Sequence, residues 1–119
     1  YLSIVNNLAD LEVLREMAAA PRSNSTRFHQ KYRMRQRSVA SLTVSDDLWN
    51  WRIVKPLLKS TAGLTTEDAI RLTGYQYTDW HIDGDDIIFV VRVADRGANN
   101  FHDANEVIYC VLPNFRSLL

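Results

Sequence analysis

An α+β fold is what this sequence predicts: about three helices packed on a small antiparallel sheet, with a three-stranded meander at the C-terminal end. Apolar residues recur at helical spacing in the stretches before Gly74, the apolar period drops to two after it, and the dipeptide Asp83-Gly84 stands between two of the alternating runs.

The first helix is expected over residues 2–20. Ile4, Leu8, Leu11 and Ala18 repeat at helical spacing, Val5, Leu14 and Met17 widen the stripe, and Pro21 stops it before a polar, turn-rich connection. A second helix is expected from Ser45-Asp46-Asp47, which offers a capping hydroxyl and two first-turn carboxylates, with Leu48, Trp51, Val54 and Leu58 marking one face. Pro56 should kink or restart it, and Gly63 should close it. Thr65 or Thr66 then caps a short helix through Ile70 and Leu72, ended by Gly74 in a left-handed C-cap.

Beyond Gly74 the chain reads as strand, turn, strand. Residues 75–82 and 86–93 alternate and are rich in aromatic and β-branched side chains, Asp83-Gly84 supplies the hairpin turn, and a polar loop over residues 95–106 leads to a third strand at residues 107–112.

The chain has 119 residues, of which 46% are apolar and 24% charged, the composition of one folded domain spanning residues 1–119 rather than of a disordered or coiled-coil chain. Because it starts at Tyr1 with no leader pattern, it is expected to be a processed product or a domain of something longer. The 14 Lys and Arg balance the 14 Asp and Glu, which excludes a uniformly basic or uniformly acidic protein. The apolar run from Ile87 through Val91 is far too short to span a bilayer as a helix, so no membrane partner is expected. Cys110, the single cysteine, lies in an apolar stretch and reads as a buried thiol in an intracellular, cytoplasmic setting. Asn24-Ser25-Thr26 matches a glycosylation sequon with nothing beside it that argues for secretion.

The strongest candidate binding element is the segment in which every odd position is basic: Arg27, His29, Lys31, Arg33, Arg35 and Arg37. No acid occurs between Glu16 and Asp46, and the even positions carry Phe28, Gln30, Tyr32, Met34 and Gln36, continuing into Ala40, Leu42 and Val44. As an extended chain, bent near Ser38, this puts cations on one face and aromatic or apolar groups on the other. Such a face meets what phosphate recognition requires, with Arg forks for oxyanions and Phe28 or Tyr32 for stacking. The expectation is a non-enzymatic domain that binds an anionic partner, nucleic acid or an acidic protein surface. The bland alternative is a solvated face whose charges keep an edge from pairing.

A second reading is a protein-interaction or assembly domain that uses Trp49 or Trp51 with the N-terminal helix, since exposed tryptophan favours interfaces. Self-association is part of that expectation, with the acids at Asp79, Asp83, Asp85 and Asp86 complementing the basic face of another copy. A third is a small phosphodiesterase or ribonuclease working through His29, His81 or His102, although no spacing forces two of them together. The acids around His81 fail the EF-hand pattern, because His81 and Val90 fall where calcium ligands belong. Neither a metal nor a cofactor is expected. Residues 64–75 resemble the opening of a helix-turn-helix, but the following residues read as strand and hairpin.

Overall fold

The computed structural model describes residues 1–7, 37–60 and 62–119. They form two three-stranded antiparallel sheets, with one short helix and one 3-10 turn, so the expected α+β architecture with about three helices is overturned in favour of a mostly β fold. The first sheet holds β1 (Leu2–Asn7), β2 (Val39–Val44) and β3 (Arg52–Lys59), in that order. Helix α1 (Thr66–Leu72) leads to the second sheet, β4 (Gly74–Asp83), β5 (Asp86–Ala94) and β6 (Glu106–Leu112), followed by the 3-10 turn Phe115–Leu118.

The sheets face each other across one core. Leu42 of β2, Ile87 and Phe89 of β5, Leu112 of β6 and Phe115 are buried together, with Leu2, Ile4, Val54, Leu57, Leu58 and Trp80 packed around them. Ala40, Tyr75, Val91 and Val93 continue this layer. Burial between two inner faces is what the alternation of β5 requires: Ile87, Phe89, Val91 and Val93 are buried while Val90 and Arg92 are exposed.

Two expected helices give way to strands. The start of the first is β1, which pairs with β2 from Leu2↔Val44 to Asn7↔Val39; the rest of that expectation lies outside the described residues. The second is a turn followed by β3. In β3 the inward residues are Val54, Leu57 and Leu58, spaced as on a helix, because two register shifts against β2 insert one extra residue each time. A strand with two bulges thus imitates a helical stripe. Pro56, expected in a first helical turn, sits on the outer strand of its sheet, where a missing N–H costs little.

The third expected helix is present. Thr65 Oγ1 accepts from the Asp68 N–H (3.2 Å), and the helix ends at Leu72 with Thr73 as its C-cap. Gly74 is not a left-handed cap. It opens β4, and a side chain there would collide with the Phe101 carbonyl. The meander also forms, pairing β4 with β5 and β5 with β6. Its hairpin pairs Asp83 with Asp86 and so turns through Gly84-Asp85, one residue later than Asp83-Gly84. Gly84 takes φ +58° and Asp85 does not go positive, the sign pattern of a II′ turn rather than I′. Among the described residues no helix is long and apolar enough to cross a membrane.

Candidate functional site

The connection between β2 and β3 carries the most exposed tryptophan of the described residues. Ser45 Oγ accepts from the N–H groups of Asp47 (3.2 Å) and Leu48 (2.8 Å), which is the capping pattern the sequence announces. No helix follows, because the chain turns left-handed at Leu48 (φ +68°), a conformation that costs a non-glycine residue about 1–2 kcal/mol. Asp47 holds the turn against that cost. Its Oδ1 accepts from Trp49 N–H (2.9 Å) and Asn50 N–H (2.7 Å), and its Oδ2 from Asn50 Nδ2 (2.6 Å). The backbone N–H of Asn50, then its side chain and the Trp49 N–H, keep the Asp47 carboxyl well below the usual carboxylate range.

The turn presents side chains to solvent. Trp49 is 89% exposed, Leu48 about half and Trp51 43%, and the Trp51 indole N–H is satisfied by the Leu48 carbonyl (2.9 Å). The tryptophans therefore flank a turn stiffened by hydrogen bonds, not the helical turn expected. Beside it, Tyr1 and Ser45 exchange backbone hydrogen bonds (2.8 and 3.0 Å), which anchors the start of the turn to β1. A cleft of about 560 Å³ opens there among Tyr1, Leu2, Val44, Asp46, Arg52, Ile82, Phe115, Arg116 and Leu119. The buried Phe115 is part of its lining, with the Arg116 guanidinium 4.5 Å from the centre of the Phe115 ring, and Arg52 reaches the Leu119 carbonyl at 3.4 Å.

Of the basic candidates, Arg27, His29, Lys31, Arg33 and Arg35, together with Phe28 and Tyr32, lie outside the described residues. Arg37 is described: it is half-buried, and its carbonyl accepts from Tyr75 N–H (2.8 Å), joining the approach to β2 to the second sheet. The expected bend at Ser38 is present, and Ala40 and Leu42 share the inward face as their alternation predicts.

His81 is exposed on β4 opposite Ile88, and His102 is exposed in the loop that covers Gln76, with no hydrogen-bond partner common to both among the described residues. Among the described residues no group of three His, Cys, Asp or Glu is placed to hold a metal ion. The acids near His81 serve the fold: Asp85 pairs with Arg116 (3.1 Å) and Asp86 accepts from Asn114 N–H (2.9 Å), so the hairpin tip grips the C-terminal turn. Cys110 is half-buried, and burial pushes its thiol up, away from nucleophilic character. The helix-turn-helix resemblance ends at Gly74, where strand β4 begins instead of a second helix.

Sequence reasoning located Trp49 and Trp51 but not their setting. The signal that was there is Asp47 followed by Asn50, a pair able to close a turn on itself by side-chain hydrogen bonds. Comparison with family models, with curated proteins and with solved structures finds no match to this chain.

Proposed function

We propose that this domain is a non-enzymatic protein-interaction module that offers Trp49 as an anchor to a pocket on a partner protein. The observation that carries this reading is the 89% exposure of Trp49 on a turn whose backbone is held by Ser45 and Asp47. A free indole on a stiff turn loses little conformational freedom on binding, and buried tryptophans dominate interface energetics. The half-exposed Leu48 and Trp51 and the neighbouring cleft extend the surface around it. The half-buried single cysteine suits an intracellular setting for such a module.

The test is affinity capture of partners by the wild-type chain and by Trp49→Ser. The variant is expected to retain the wild-type melting temperature within about 2 °C and to lose at least ~10-fold in affinity for the captured protein. A large drop in melting temperature would make Trp49 a structural residue, and unchanged affinity would remove it from the interface.

A second reading keeps the alternating cations of residues 27–37, supported by their spacing and by the absence of acids from that stretch. Binding to single-stranded RNA or duplex DNA should then weaken steeply with salt, and replacing Arg33, Arg35 and Arg37 by Gln should reduce the slope by roughly 2–3. Wild-type chain that binds neither at low salt would leave those cations as a solvated face.

A further inference from the structure

We propose that β6 is a self-pairing edge, and that two copies of this chain join antiparallel through it into one continuous six-stranded sheet. On the side away from β5, no backbone group of residues 107–112 finds a hydrogen-bond partner among the described residues. Among the described residues the strand carries none of the usual protections against pairing. It has no proline, no bulge against β5, and no charge after Glu106, which is held by Arg96. Its outward side chains are apolar and open: Val107 is 72% exposed, Tyr109 66% and Val111 48%. On β5 they lie beside Arg92, Val90 and Ile88, respectively.

The choice of a second copy rests on symmetry and charge. Tyr109 is the middle residue of Glu106–Leu112, with Val107 and Val111 equally spaced around it. Antiparallel self-pairing about Tyr109 therefore sets Tyr109 against Tyr109 and Val107 against Val111 of the second copy, the self-complementarity a two-fold interface requires. The outer faces then merge into one apolar patch built from Ile88, Val90, Val107, Tyr109 and Val111 of both copies, rimmed by Asp79, His81 and Arg92. No like charges oppose each other across the seam: each Glu106 faces Leu112 of the second copy, and the formal net charge of the chain is +0. A seven-residue edge and a patch this small bury less than the roughly 800 Å² per partner of a standard interface, so the dimer should be reversible, with Kd on the order of 10–100 µM.

Sedimentation of the full chain between about 1 µM and 1 mM tests this. The wild-type mass should rise from 13.7 kDa toward twice that value, and Tyr109→Lys should weaken dimerisation at least ~10-fold without altering the melting temperature. Register is read by oxidative crosslinking in a Cys110→Ser background. Tyr109→Cys should crosslink to itself, whereas Val107→Cys should not, since the two copies of residue 107 would stand about four residues, or ~13 Å, apart along the strands. A mass of 13.7 kDa throughout, a Tyr109→Lys variant that dimerises like wild type, or equal crosslinking at positions 107 and 109 overturns the proposal. So does a β6 edge that pairs only with a foreign strand.

Discussion

The two sides of the sandwich treat their edges differently. On one side β1 and β4 are the outer strands, and the sheets are tied there by the Tyr75 N–H to Arg37 carbonyl bond, while the loop over residues 95–105 lies across Gly74 and Gln76. On the other side β3 and β6 are the outer strands, and a gap of about 300 Å³ opens between Leu57 and Leu58 on one and Cys110 and Leu112 on the other. There β3 is blunted by Lys55, Pro56, Lys59 and two bulges, whereas β6 is left regular and apolar. Among the described residues one chain thus holds a closed side, a protected edge and a bare edge. The lesson is that protection is applied strand by strand, which makes the unprotected strand informative.

The largest effect should come from forcing the closed side open. Gly74→Ala places a methyl group inside the Phe101 carbonyl, whose position is fixed by Phe101 N–H to the Arg71 carbonyl (2.9 Å) and by Gln76 Nε2 (2.7 Å). Backbone cannot yield as a side-chain tip does, so the variant should lose about 2–3 kcal/mol, or ~10 °C in melting temperature by calorimetry. A loss below about 1 °C would mean that the loop moves aside freely.

Next comes the tie between the sides. Asp95 is buried, and its Oδ1 accepts from Ser60 Oγ (2.8 Å), just after β3, and from Thr73 Oγ1 (3.3 Å), just before β4. Asp95→Ala strands both hydroxyls and should cost about 1–2 kcal/mol in a urea melt. Removing Ser60 and Thr73 hydroxyls as well should recover part of that loss, since no orphaned donors then remain.

The third prediction converts the protected edge into a bare one. Lys55→Thr with Pro56→Val removes the charge and restores a backbone donor at exposed positions of β3. The double variant should associate at least ~10-fold more strongly than wild type by light scattering, while adding Tyr109→Lys should leave that extra association in place because it acts on a different strand. If the double variant stays at wild-type mass, the bulges and Lys59 suffice to protect β3.

What was legible in the sequence divides along the same lines. The hairpin and meander after Gly74 were readable because their information is local: a turn glycine between runs that alternate against sequential neighbours. In the first sheet, β2 is flanked in space by β1, from the other end of a long separation, and by β3, whose two bulges break the alternation. Val54, Leu57 and Leu58 then look helical in sequence while all three pack inward from a strand. Ser45 was read as the cap of a second helix; its hydroxyl does accept from the Leu48 N–H, but the chain turns left-handed at Leu48 and that helix is absent. Trp49 was legible as a candidate by residue type, but its exposure depends on where the turn points, which local pattern does not encode. Gly74 was noticed for backbone freedom and is needed instead for lack of a side chain, a requirement set by a loop almost thirty residues away.

The smallest effect concerns the turn that leads into the protected edge, and its sign follows from Asp47. That carboxyl is held below its ordinary value of 3.8 by the Asn50 backbone N–H, the Asn50 side chain and the Trp49 N–H. A carboxyl whose pKa is lower folded than unfolded stabilises the folded turn above the unfolded pKa, and the contribution is lost as pH falls below 3.8 and through the folded value. The group is fully solvent-accessible, so the change should be local and leave global melting almost untouched. Backbone amide signals of Trp49 and Asn50 should therefore stay constant from pH 7 to about 4 and move only in stronger acid. Asp47→Ala should show the acid-like positions already at pH 7, because it removes the acceptor for both N–H groups at once. Titration of the Trp49 amide with a midpoint at or above about 4 would show that the carboxylate does not brace the turn, and the exposed indole would then hang from a loose loop rather than a stiff one.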